Sequence, residues 1–180
     1  MARKLGRTAE ERMAIKRNQS SELLWYGSIE TTVDRAKEVR SYAESMLTLA
    51  INTYEDTVKV QKTVTNDKGE KVVTEFVNDG PRKLAARRKL MASLRDLQEI
   101  KGESESKSAY KERTKEVKHP LIEKIFREHA VFYADRANKL GQKGGYTRII
   151  RLGQRRGDGA EMAKLELVKN TEKKYSIMTR

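Results

Sequence analysis

Apolar and polar positions change their period several times along the chain, and each change marks an element. Thr8 and Glu11 stand at capping-box spacing, good helix formers run to about Tyr26, and Gly27 is a stop, which predicts a helix over 8–26. Trp25 and Tyr26 close that helix beside Leu23 and Leu24 and are expected in the core. SIETT at 28–32 is short and β-prone. Val33, Ala36, Val39, Ala43, Met46 and Ala50 then fall three and four apart, the stripe of an amphipathic helix over 33–51, with Asp34 suited to its N-terminal dipole.

From Asn52 to Gly80 the period shortens to two. VKVQKTV, the turn residues NDKG and EKVVTEFV predict a β-hairpin. Pro81 opens a further helix with Leu84, Met91, Leu94 and Leu97 near one face, and Gly102 is its expected end. GESESKSAYKERTKEVK has few apolar residues and predicts a mobile loop or an exposed helix. Pro120 starts the next helix, where Ile122, Ile125, Phe126, His129 and Tyr133 share helical spacing. A second hairpin follows: Tyr146–Leu152, a turn GQRRGDGA, and Glu161–Val168, where Ala163, Leu165 and Leu167 alternate with Lys164 and Glu166. The order α, β, α, inserted hairpin, α, α, β, β predicts an α+β fold, a two-layer α/β domain with helices on one face of a small sheet.

Charge turns this layout towards a partner. The chain has 180 residues and a net charge of +13, the size of one domain and the sign of a polyanion binder. The excess sits in three blocks: +4 over residues 1–17, +6 over 82–95 and +7 over 136–157, the last with Arg136, Lys139, Lys143, Arg148, Arg151, Arg155 and Arg156 and no acid. Nucleic acid fits this clustering better than a membrane, because no run approaches the roughly 18 apolar residues of a spanning helix and MARKLGRTAEER lacks a signal-peptide core. A cytoplasmic location is expected.

Chemistry is poorly supplied. There is no cysteine, and His119 and His129 are ten residues apart, which is not a metal-ligand spacing on one helix. His119 before Pro120 reads as a helix-start residue, and His129 as a packed or solvated side chain. GQKGGYT is neither a P-loop nor a GxGxxG, and the RGD string at 156–158 reads as a turn rather than an adhesion motif. Gly144 and Gly145, next to so many cations, read as a place where a ribose-phosphate chain approaches the backbone. No catalytic residue, metal, cofactor or small-molecule substrate is expected. An RNA-processing or modifying enzyme is the alternative of another class, and it lacks a recognisable acid-base set.

ARKLGRT near the start, IETT with RAKEVR, and GGYTRIIRLGQRRGDGAEMAKLELV appear in that order, and with them the chain resembles the L-seventeen family of bacterial large-subunit ribosomal proteins. The resemblance covers about residues 1–51, 83–98 and 118–168. It implies an order α-β-α-α-α-β-β with a small mixed sheet, a structural role in the cytoplasmic ribosome, binding to large-subunit ribosomal RNA near the exit of the peptide tunnel, and neighbouring large-subunit ribosomal proteins as further partners. The RNA-contacting positions it implies are Arg3, Lys4, Arg7, Arg12, Lys16 and Arg17, then Arg35 and Lys37, then the hairpin residues Lys139, Lys143, Gly144, Gly145, Tyr146, Arg148, Arg151, Arg155 and Arg156. The expected organisation is one domain over 1–168 with a basic extended arm at 1–7, an inserted hairpin at 53–80, a charged insertion at 99–117, and a tail at 169–180. The inserted hairpin carries four basic and six acidic residues, so it is expected to face solvent or protein rather than RNA.

Overall fold

A computed structural model describes residues 4–65, 71–115 and 117–168. Helix α1 (Ala9–Tyr26) is held at its start by the capping box: Glu11 donates its N–H to Thr8 Oγ1, and Thr8 donates its own to the Glu11 carboxylate. Gly27 ends it in the left-handed region at φ 84°, donating to Leu23 O. Strand β1 (Ser28–Thr32) leads into α2 (Val33–Ile51), whose six periodic apolar residues are all buried, with Leu47 beside them. The first hairpin, β2 (Thr57–Thr65) and β3 (Lys71–Asp79), pairs only with itself among the described residues. Its NDKG turn lies outside them, as does the 169–180 tail.

Helix α3 (Pro81–Ser93) departs from expectation at its face and its end. Ala86, Leu90 and Leu94 are buried, whereas Leu84 and Met91 are exposed. The helix stops at Ser93 rather than near Gly102. Tertiary partners capture its last groups: Tyr42 Oη donates to Ser93 O at 2.9 Å, and Arg95 N–H donates to Ser21 Oγ at 2.8 Å. Such contacts outweigh helix propensity, which is worth only tenths of a kcal/mol per residue, roughly, for the residues that follow. The charged insertion holds a short exposed helix, α4 (Lys107–Thr114), capped by Ser106.

Pro120 begins a long helical run: α5 (Pro120–Lys124), a π-helical stretch (Ile125–Ala130) and α6 (Val131–Leu140). Its five periodic residues, Ile122, Ile125, Phe126, His129 and Tyr133, are all buried. Strands β4 (Thr147–Gln154) and β5 (Glu161–Leu167) complete the fold.

The sheet order is β1-β5-β4. Both pairings are antiparallel, with Ile29 and Ile149 flanking Leu165 from either side. The sheet is therefore antiparallel, not mixed: β1 and β4 run the same way, but β5 lies between them and no parallel ladder forms. Ala163, Leu165 and Leu167 of the central strand face the helices and are buried, so the core lies between one sheet face and α1, α2 and the 120–140 run. Tyr26 is outside it, 62% exposed, while its neighbour Trp25 is partly buried with Lys124 Nζ 4.9 Å from its ring centre.

The base of the first hairpin is closed by one side chain. Asp56 Oδ2 accepts the N–H groups of Arg82 (2.8 Å) and Lys83 (3.2 Å), capping α3 from a distance, and Asp56 O accepts the Gly80 N–H at 2.8 Å. A β-carbon on Gly80 would come within 2.3 Å of the same carboxylate, so a larger residue there would push Asp56 off the start of α3.

Candidate nucleic-acid interface

The site is built on β4 and β5, and strand alternation decides where its cations point. Thr147, Ile149 and Arg151 lie on the helix-facing side of β4, opposite Leu167, Leu165 and Ala163. Arg148 and Ile150 lie on the other side, opposite Glu166 and Lys164. Arg148 and Arg151 thus sit on opposite faces of one hairpin. Arg151 is exposed although Ala163 opposite it is buried. A bulge between Arg151 and Gly153 then shifts the register, and φ at Gly153 is 99°.

The hairpin tip is a closed turn. Arg155 N–H donates to Ala160 O at 2.9 Å, Gly159 N–H donates to Arg155 O at 3.1 Å, and Arg155 pairs with Asp158 at 2.6 Å. That guanidinium, together with the Ala160 N–H, holds the Asp158 carboxyl down to about 2. The block read as free of acid is therefore partly neutralised by residues just past its end: Arg148 meets Glu166 across the strands, Nε to Oε1 at 2.9 Å, and the same carboxylate sits 3.7 Å from Lys164 Nζ. Lys164 is a further cation of this surface, and it lies beyond the basic block that ends at Gly157. Its alternation with Leu165 already placed it on the outer face.

At the other end of β4 the chain turns through Gly144 (φ 83°) and Gly145 (φ 59°). Lys139 and Lys143 are exposed there. Tyr146 is 6% exposed, with its ring 4.8 Å from that of Tyr133, so the aromatic side chain belongs to the core and only its backbone can reach a ligand. Burial pushes the Tyr133 phenol up, and its hydroxyl donates to Tyr146 O at 3.2 Å. Arg136, counted in the sequence as surface charge, is 5% exposed and packs against both rings.

The N-terminal block is divided. Arg3 lies outside the described residues. Lys4 and Arg7 are exposed, and the described part of the arm is a turn rather than extended, with Arg7 N–H donating to Lys4 O at 3.0 Å. Arg12, Lys16 and Arg17 are half-buried on α1, where Lys16 pairs with Glu38 of α2 at 3.8 Å. On α2, Arg35 is half-buried and Lys37 exposed. In the 82–95 block, Lys83 and Arg87 are tied down, Lys83 to Asp79 at 3.1 Å and Arg87 to Asp79 and Glu123, each at 2.5 Å. Burial pushes the Asp79 carboxyl up, but the bonds from Arg87 and Lys83 outweigh it and the net shift is down. Arg82, Arg88, Lys89 and Arg95 remain exposed.

The histidines take separate structural posts. His119 Nδ1 is 3.0 Å from Asp96 Oδ2 at the start of α5, and buried His129 places Nε2 2.8 Å from Leu24 O.

A family model described as Ribosomal protein L17 matches residues 15–168. The chain belongs to the ribosomal protein L17 family. Among L17 relatives, the large ribosomal subunit protein bL17 of Lachnospira eligens is 38% identical, over 92% of this chain and 98% of the relative. The bL17 of Finegoldia magna is also 38% identical, over 97% of this chain and 89% of the relative, and that of Staphylococcus epidermidis is 34% identical, over 92% and 98%. The family is one of structural ribosomal components rather than enzymes.

Proposed function

We propose that the chain is a structural constituent of the large ribosomal subunit that binds and stabilises large-subunit ribosomal RNA near the exit of the peptide tunnel, with neighbouring large-subunit proteins as its other partners. The observation that carries the RNA reading is the two-sided hairpin. Arg148 on one face, Arg151 on the other and Arg155 and Arg156 at the tip let β4 and β5 enter between RNA segments and meet phosphate on both flanks. Arginine suits this role because its planar fork matches phosphate oxygens. Lys4, Arg7, Lys37, Lys139 and Lys143 supply further exposed charge, of the kind that positions a protein on RNA without reading sequence. Family membership supports the ribosomal setting, and the resemblance read from the sequence supports the tunnel-exit location.

The ion pairs of Arg148 with Glu166 and of Arg155 with Asp158 are compatible with this role. Arg155 and Asp158 are both exposed, and exposed Arg148 meets a half-buried Glu166; ion pairs at the surface add little, so exchanging a carboxylate for a phosphate costs little. The test is the double variant Arg148→Glu with Arg151→Glu, expressed in cells and followed by sedimentation of ribosomal subunits. Its occupancy on the large subunit is expected to fall at least tenfold, on the order of two lost charge-assisted contacts. Wild-type occupancy would remove the hairpin from the interface.

A further inference from the structure

Arg136 stands out among the cations because it is buried and its charge is turned onto the backbone. Its guanidinium carbon lies 4.9 Å from the Tyr133 ring centre and 5.3 Å from that of Tyr146. From there Nη2 donates to Gly144 O at 2.5 Å, and Nη1 donates to Gly145 O at the longer distance of 3.5 Å. Two consecutive carbonyls thus point inward at one side chain. In a trans peptide the N–H points opposite to the C=O, and the described chain has no cis bond, so the N–H groups of Gly145 and Tyr146 both point away from Arg136. Gly144 and Gly145 have φ of 83° and 59°, a left-handed turn that lets consecutive peptides align in this way. Among the described residues, neither N–H has an acceptor. The space outside the turn is open, since a β-carbon on either glycine would meet nothing within 4 Å, and Lys143 stands exposed beside it.

We propose that residues 143–146 form a backbone phosphate cradle and that Arg136 is its positioning residue, holding the two carbonyls inward so that the N–H groups of Gly145 and Tyr146 converge on one phosphate of the bound RNA. This inference rests on the RNA reading and gives it a second grip, separate from the hairpin tip. Parallel N–H groups of this kind are a recurrent anion receptor, and a nearby lysine adds a point charge. Arg136 itself does not touch the phosphate. Lysine could not replace it, because an ammonium has no planar fork to reach two carbonyls while packing against two rings.

The full chain, labelled with 15N, is titrated first with inorganic phosphate and then with protein-free large-subunit ribosomal RNA. In the wild type both probes are expected to move the amide resonances of Gly145 and Tyr146. In Arg136→Lys the phosphate response at these two amides should disappear and RNA affinity should fall about tenfold, the loss of about one charge-assisted hydrogen bond, while resonances of residues 148–156 still respond to RNA. Wild-type amides at 145 and 146 that stay still while 148–156 respond would overturn the cradle and leave the RNA reading intact. A wild type in which RNA moves neither set would overturn the RNA reading itself. If Arg136→Lys does not fold, the wild-type titration decides alone.

Discussion

Leu165 and Asp158 show how differently two residues of one hairpin earn their places. Leu165 is fully buried at the centre of the sheet, flanked by Ile29 and Ile149. Leu165→Ala leaves a hole that the surrounding strands cannot fill, and urea unfolding is expected to show a loss of about 2 to 5 kcal/mol. Asp158 lies on the surface, where Arg155 holds its carboxyl down to about 2, below the ordinary aspartate value of about 3.9. A depressed folded-state value means that the pair favours the folded turn above about pH 4 and that this support fades as pH falls towards 2. An NMR titration of Asp158 should find its midpoint near 2, and Arg155→Ala should move it up towards the ordinary value. Leu165 could be read from alternation alone. The core position of Arg136 could not, because a charge count treats every arginine as exposed, and only the folded chain reveals the pocket made by Tyr133 and Tyr146.

At the scale of elements, the most legible features are those fixed by local chemistry. The capping box at Thr8 and Glu11, the stop at Gly27, the strand at 28–32 and the apolar stripe of α2 are all set by neighbours within a turn or two. Thr8→Ala removes the side-chain acceptor for the Glu11 N–H and should cost about 1 kcal/mol, seen as a lower urea midpoint and faster amide exchange at Glu11. What the sequence hides is termination by distant partners. Nothing local stops α3 after Ser93, and its end is decided by Tyr42 and Ser21, which lie 51 and 74 residues earlier than the groups they bind. The same holds for its buried face: Ala86, Leu90 and Leu94 are buried while Leu84 and Met91 are exposed, a choice set by where α3 meets α2 and α5. Strand direction was hidden for a related reason: periodicity says which residues face the core, but not which strand lies in the middle.

For the molecule as a whole, the charge pattern separates two hairpins of similar length. β4 and β5 belong to the central sheet and carry arginines on both faces, while β2 and β3, among the described residues, pair with each other only and leave Val58, Val73, Phe76 and Val77 exposed. A two-stranded hairpin contributes little stability by itself. Thr57 and Asp79 are register partners, so residues 58–78 can be replaced by Asn-Gly without stretching the chain. That variant is expected to keep its thermal midpoint within a few degrees, roughly, and its large-subunit occupancy by sedimentation. A large drop in occupancy with the midpoint preserved would make the first hairpin part of the binding surface.

The Asp56 carboxylate fixes the start of α3 and, with the Gly80 N–H bonded to Asp56 O, seals the neck through which the chain leaves and re-enters the fold. Strands β2 and β3 thereby leave and rejoin the domain at one point. For an engineer this neck is a socket: an affinity tag or fluorescent reporter grafted there would hang from the domain on a fixed base, far in sequence from both the cationic hairpin and the glycine turn.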